Sequence, residues 1–285
     1  MHWPGVPGDS LLVSGRILWY LLDSMGVRAI FNFGKSRPVP ALEAVQAQAP
    51  QLREAELAAI YYGQRVGGDF YDFVRVSPDR VLFGLLDVAG RLEENHSIVS
   101  AAQDTFRTLG TDLFAKQDIN EAEAMIELCL GLNRTILHAA AGVRSCPAFA
   151  GCYNETLGTV CYFNAGHTSG LMRNRNGVTE LTATGLPLGL FSHSTCDASM
   201  VALEPRAALL LVSRGIVEAK HRGKEFGLEQ VKDGLQCCQA ETAKELCLAL
   251  LDQVQQFMQT PPTHNDVTTL ALSRTAAPSS VAGAS

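Results

Sequence analysis

The chain has 285 residues, 47% apolar and 18% charged, so it is long enough to bury a core and too apolar for a disordered or collagen-like chain. Its 29 acidic against 23 basic residues leave a net charge of −6, which argues against nucleic acid as a partner, because that binding draws on basic surface. Eight cysteines form no framework: Cys129, Cys146, Cys152, Cys161, Cys196 and Cys247 stand apart, Cys237 and Cys238 are adjacent, and no C-x-x-C occurs. They read as reduced, mostly buried thiols of a cytoplasmic protein, not as a zinc or redox motif.

In chain order, residues 10–33 are the most apolar stretch, but Arg16, Asp23 and Arg28 interrupt it. Each charge near a bilayer centre costs roughly 2.5–3.5 kcal/mol, so a spanning helix is not expected. No signal peptide is expected either, because no basic start precedes a compact apolar run with a small-residue cleavage site. Residues 1–40 read as a docking helix or the remnant of an upstream module, with weak interfacial membrane contact as the alternative. Pro38 and Pro40 break the chain, and Ala41 to Gln48 predicts a short helix ended by Pro50. Strands are predicted over 56–62, 70–76 and 81–88, with a Gly67-Gly68 turn after the first and a Ser77-Pro78-Asp79-Arg80 turn after the second.

A helical block follows. Ile98, Ala102, Phe106, Leu109 and Leu113 mark one helix. Asn120, with Glu123 three residues on, predicts the N-cap of a second, whose buried face carries Met125, Cys129, Leu132 and Ile136. Strands return over 148–153, 159–164, 169–173, 178–181, 200–203 and 207–212, the Asn176-Gly177 turn feeding the fourth of these. Thr242 and Glu245 form a capping-box signature ahead of the stripe Leu246, Leu250, Val254 and Phe257. A closing strand is predicted over 267–272, and 275–285 reads as a disordered tail of small residues. Strands, two helices, many strands and a final helix make an α+β order with mostly antiparallel pairing, its main domain at 41–274.

Three acidic clusters lie at strand ends or turns: Gly67-Gly68-Asp69-Phe70-Tyr71-Asp72, Leu85-Leu86-Asp87-Val88-Ala89-Gly90 and His264-Asn265-Asp266-Val267-Thr268. Each alone is accounted for by an Asx turn or a strand-end hydrogen bond. An ionised aspartate ending an apolar strand is nonetheless costly unless paired, hydrogen-bonded or metal-bound. Three such clusters converging point to a hard-cation site with oxygen ligands for Mg²⁺ or Mn²⁺.

Seven segments carry a family resemblance: V-G-G-D-F-Y-D (66–72), D-V-A-G (87–90), N-A-G-H (164–167), G-L-P-L-G-L (185–190), L-L-L-V-S-R-G-I-V-E-A (209–219), F-G-L (226–228) and N-D-V-T (265–268). In this order and spacing the chain resembles the SpoIIE/RsbU-like branch of the PPM (type 2C) metal-dependent serine/threonine phosphatases. The resemblance implies a four-layer αββα sandwich, two antiparallel sheets face to face with helices outside, and a two-metal cleft at one end that activates a water. By the same resemblance Asp87 bridges the metals, the Val88 carbonyl ligates one, Asp69 holds the site, Asp266 lies beside the last ligand, and His167 is structural. The implied partner is a phosphorylated regulatory protein, in this branch typically an anti-sigma-factor antagonist.

Two departures stand out. Where the branch reads T-D-G this chain has Ser213-Arg214-Gly215, and where it reads D-D-V-T this chain has Asn265-Asp266-Val267-Thr268. Both missing aspartates are ligands of the same metal in the family pattern. Arginine cannot ligate a cation and asparagine is a neutral donor, so at most one ion, Mn²⁺ or Mg²⁺, is expected at Asp69, Asp87 and Val88. The Arg214 guanidinium can stand in for the other and hold Asp69 or Asp87. In place of the branch's small-residue run after D-V-S-G stand Arg91, Leu92, Glu93 and Glu94. Two functions follow: a protein phosphatase of reduced activity, or a pseudophosphatase that binds a phosphoprotein without hydrolysing it.

Overall fold

The computed structural model describes residues 49–62, 68–88, 90, 92–140, 142–193, 195–258 and 267–275, the side chains of 62 and 92–94 excepted. The expectations for residues 1–48, Gly67, Asn265, Asp266 and the tail beyond Thr275 lie outside the described residues. The chain divides into Met1–Ala44 and Val45–Ser285, and every described residue belongs to the second unit.

The elements run β1 (Ala55–Tyr62), β2 (Asp69–Arg75), β3 (Arg80–Asp87), α1 (Leu92–Phe114), α2 (Glu121–Ala139), β4 (Ala148–Asn154), β5 (Thr159–Ala165), β6 (Gly170–Asn174), β7 (Gly177–Leu181), β8 (Ser199–Ala202) and β9 (Ala208–Val212). A short α3 (Arg214–Val217), a small hairpin of β10 (Lys220–His221) and β11 (Lys224–Glu225), α4 (Gly227–Cys237), α5 (Ala243–Met258) and β12 (Val267–Arg274) complete the order. Two five-stranded sheets form, β1-β12-β9-β6-β7 and β2-β3-β4-β5-β8, and every pairing within them is antiparallel.

Alternation along the strands builds three apolar layers. On β3, Val81, Phe83 and Leu85 face the space between the sheets, while Leu82 and Leu86 face the α1–α2 pair. On β9, Leu209 and Leu211 enter the same central layer, while Ala208, Leu210 and Val212 pack with α4 and α5. The result is the αββα sandwich. Its inner strands are covered on both faces, and β9, buried at every position, reads as an unbroken apolar run.

Local chemistry sets the ends. The Asn120 carboxamide accepts from the amides of Ala122 and Glu123 and caps α2. Thr242 and Glu245 exchange side-chain-to-amide bonds ahead of α5, a complete capping box. Helices α3 and α4 and the β10–β11 hairpin carry no sequence expectation above. Helix α4 holds Gly227 and Gly234 and buries only Val231 and Leu235 fully, too short a stripe to read without its partner α5.

Buried polar groups tie the layers together. Asp72, in the first acidic cluster, is fully buried and accepts from Arg107 Nε at 2.6 Å and Nη2 at 2.9 Å, from Gln103 and from the Phe73 amide. It fastens α1 to β2 and is spent on structure. Thr275, the first residue of the expected tail, bonds to the Glu54 carbonyl through its amide and its hydroxyl. All eight cysteines are free thiols, six of them buried, and burial pushes Cys161 and Cys247 up to about 12.

Candidate functional site

Asp69 opens β2, Asp87 closes β3, and the register sets them directly opposite each other. Such cross-strand neighbours have Cα atoms about 4.5–5.5 Å apart, and their side chains leave the sheet on one face. That face is the inner one, since Asp69 alternates with Tyr71 and Phe73, and Asp87 with Leu85 and Phe83. By the same alternation Thr268 and Ser213 of the other sheet point into this layer, in step with Leu270 and with Leu211. The site is therefore the mouth of the inter-sheet layer, where the apolar filling stops and two carboxylates begin.

Each carboxylate has a partner. Thr268 Oγ1 donates to Asp69 Oδ2 at 2.7 Å, and Arg214 Nη2 lies 3.4 Å from Asp87 Oδ2. The Asp87 amide donates to the Pro147 carbonyl at 2.9 Å. Ser213 fixes where Arg214 starts: its amide donates to the Thr268 carbonyl and its hydroxyl accepts the Thr268 amide at 3.0 Å. The hydroxyl is turned to β12 in this way, and α3 begins without a side-chain cap bond. Arg214 also lies 3.8 Å from Glu218, one turn on. Its side chain is 55% exposed, so the guanidinium sits at the lip of the cleft, and removing it is worth about 0–1 kcal/mol and not the larger cost of breaking a buried pair.

The Val88 carbonyl is locked by Gly68. The Val88 amide donates to the Gly68 carbonyl, and a Cβ added at Gly68 would lie 2.1 Å from Val88 O, which also accepts from Asn95 Nδ2 at 3.2 Å. Only glycine lets these two backbones approach so closely. Gly68→Ala is expected to lower stability by about 1–3 kcal/mol, as overpacking does. Thermal melting is the check, and an unchanged melting temperature would show that the Val88 carbonyl moves freely.

A family model described as Stage II sporulation protein E (SpoIIE) matches residues 77–275, well over half of the chain. The chain belongs to the SpoIIE family. No curated protein matches it. Among solved structures it is similar to the RsbU and RsbW domains of Rv1364c from Mycobacterium tuberculosis, at 21% identity and a TM-score of 0.65, over 80% of this chain and 62% of that one. It is similar also to the PP2C phosphatase domain with a regulatory fragment of SpoIIE from Bacillus subtilis, at 14% identity and a TM-score of 0.63, over 79% and 64%. A third is RsbX in complex with magnesium, at 10% identity and a TM-score of 0.58, over 80% and 99%. The chain thus spans less than two thirds of the first two, and at these identities all three speak for the fold, that of PP2C phosphatases.

In the family pattern that this SpoIIE-family domain resembles, aspartates at the positions of Arg214 and Asn265 complete a two-metal centre. Among the described residues no group of three or more His, Cys, Asp and Glu is placed to hold a metal ion. On the β9 side stands a guanidinium, which repels a cation and already takes up one Asp87 oxygen. The described residues do not fit a pair of ions. Asn265 and Asp266 lie outside the described residues, so the cleft described is built from Asp69, Asp87, Val88, Arg214 and Thr268.

Thr268 stands within the N-D-V-T segment with no role expected for it, and no spacing in the sequence marks Asn95. His167 is buried in a turn held by Asn164, whose Oδ1 accepts the His167 amide at 2.8 Å and whose Nδ2 donates to the Leu181 carbonyl. Burial pushes the imidazole down to about 4, opposed by the contact with the Thr168 carbonyl and reinforced by Arg214. An unfolded histidine titrates near ~6.5, so between that value and the folded one the unfolded chain binds more protons. Stability from His167 is complete above that window and is lost as pH falls through it, by roughly 3 kcal/mol. In His167→Gln the fall in melting temperature from neutral to acidic pH is expected to be shallower. Equal slopes would show that the fold leaves this imidazole ordinary.

Proposed function

We propose that this domain is a pseudophosphatase, a SpoIIE-type module over residues 41–274 that binds a phosphorylated regulatory protein at the Asp69–Asp87 cleft and does not hydrolyse it. One observation carries the reading: Arg214 lies 3.4 Å from Asp87, at the position where the family pattern has an aspartate ligand. A fixed cation there neutralises the bridging carboxylate and presents a guanidinium to an incoming phosphate, yet it cannot activate a water. A partner of the anti-sigma-factor-antagonist kind is favoured because a similar fold is that of a chain holding RsbU and RsbW domains. The free thiols favour a reducing, cytoplasmic setting.

A second reading, a phosphatase of reduced activity using one Mn²⁺ or Mg²⁺, is favoured by the opposed Asp69 and Asp87 and by the Val88 carbonyl held over Gly68. These three oxygen donors suit a hard cation. Hydrolysis of a chromogenic phosphoester with Mn²⁺ separates the two, together with a count of bound metal per chain. The pseudophosphatase reading expects no turnover above buffer. Mn²⁺-dependent turnover that disappears in Asp87→Asn overturns it in favour of the second.

A further inference from the structure

Beyond Arg214 the lip of the cleft continues into the β10–β11 hairpin. Helix α3 is a single turn, so the run from Arg214 to Ala219 advances only about 8 Å. Ala219 then closes the base of the hairpin by accepting the Phe226 amide at 2.7 Å. The hairpin leans on the last turn of α5: His221 Nδ1 lies 3.4 Å from the Met258 carbonyl, and Phe257 meets the rings of His221 and Phe226 edge-on. That end of α5 is the cleft end of the sandwich. The Lys244 amide donates to Glu56 near the start of β1, and the Cys247 thiol, one turn on, reaches the Ala58 carbonyl. Helix α5 therefore runs along β1 toward Tyr62, which pairs with Val267, next to the Thr268 that holds Asp69.

Residues 220–225 read K-H-R-G-K-E, three cations against one anion in a chain whose net charge is −6. Lys220 is paired across the hairpin with Glu225 at 3.2 Å. Arg222 and Lys224 are exposed, and the side chain of neither forms an ion pair or hydrogen bond with a described residue. Arg222 and Gly223 both have positive φ, +50° and +79°, as a two-residue hairpin turn requires. That backbone favours glycine, asparagine or aspartate, so turn chemistry does not account for an arginine at the tip. The hairpin is an arm braced on α5 that holds two unneutralised cations beside the lip where Arg214 sits.

We propose that the β10–β11 hairpin selects a partner whose phosphorylated side chain is flanked by acidic residues, Arg222 and Lys224 pairing with those carboxylates while the phosphate lies at the cleft. Charge complementarity names the occupant, since the net charge of the chain repels an acidic segment everywhere but at such a patch. The proposal rests on the phosphoprotein-binding reading above and gives it a sequence preference. The probes are four fluorescent peptides: phosphoserine flanked by glutamates, by glycines or by lysines, and the glutamate peptide with plain serine. Binding is read by anisotropy. The glutamate-flanked phosphopeptide is expected to bind about five- to tenfold tighter than the glycine-flanked one at low salt, the effect of two surface ion pairs, and the preference to vanish near ~1 M salt. Arg222→Asn with Lys224→Gln keeps a residue suited to the turn and is expected to erase the preference while retaining phosphate dependence. Arg222→Asp with Lys224→Glu is expected to turn the preference toward the lysine-flanked phosphopeptide. Phosphate-dependent binding that is indifferent to the flanks, or a glutamate preference that survives in both hairpin variants, overturns this proposal and leaves the functional reading standing. Phosphopeptides that bind no better than the plain serine peptide overturn both.

Discussion

The double variant Arg214→Asp, Asn265→Asp is expected to gain Mn²⁺-dependent hydrolysis of a chromogenic phosphoester about a hundredfold above the background rate seen with the parent, the order of effect of one electrostatic element in an active site. The argument is one of charge. At present one Asp87 oxygen faces a guanidinium at the cleft lip. Exchanging Arg214 and Asn265 for aspartates removes that cation, puts a carboxylate in its place near Asp87 and restores a second carboxylate that the family pattern carries at residue 265, while Asp69 and Asp87 stand opposite each other in the register. Without metal the added repulsion is expected to lower the melting temperature, and Mn²⁺ is expected to recover it. An ion at a hundred times its Kd that binds only the folded state contributes about 2.7 kcal/mol. A double variant that melts like the parent, ignores Mn²⁺ and gains no turnover would show that residue 214 has no part in a metal site.

The second large effect lies away from the cleft. Glu121→Ala is expected to cost about 3–5 kcal/mol, because it strands a buried guanidinium. Glu121 Oε1 accepts from Arg80 Nε at 2.7 Å and from Asn154 Nδ2 at 2.8 Å, and all three residues are buried. Arg80 also donates to the Lys116 and Gln117 carbonyls at 3.1 Å, so one side chain of β3 closes the α1–α2 loop, while Glu121 reaches β4 from the first turn of α2. Glu121→Gln, which retains an acceptor of the right shape, is expected to cost less than the alanine. Urea unfolding midpoints measure both, at unchanged slope. A loss under about 1 kcal/mol for the alanine variant would mean that water replaces the carboxylate and that the cluster is wetter than its burial implies.

How much of this was legible in the sequence follows from particular residues. Strands β3, β9 and β12 are buried at nearly every position because two faces of each are covered, so the sequence marks them as strands while hiding which side chain meets which layer. Helix α2 and helix α5 announce themselves by cap and stripe, both local. Helix α4 does not, because Val231 and Leu235 become a buried face only once α5 is beside them.

The same division holds at the cleft. The sequence by itself determined the order of strands and helices, through periodicity and turn chemistry, and pointed to the layers only through the family resemblance. It also marked Asp69 and Asp87 as carboxylates ending apolar strands, and Arg214 as a cation out of keeping with the family pattern, since each is a property of a residue and its immediate neighbours. Tertiary structure alone decided that Asp69 faces Asp87, that the Thr268 hydroxyl donates to Asp69, and that Arg214 reaches Asp87 from the lip of the cleft. It alone decided that Asp72 is consumed by Arg107. These contacts join segments up to 199 residues apart, as from Asp69 to Thr268. Register and sheet packing set such contacts, and those depend on burying all three apolar layers at once.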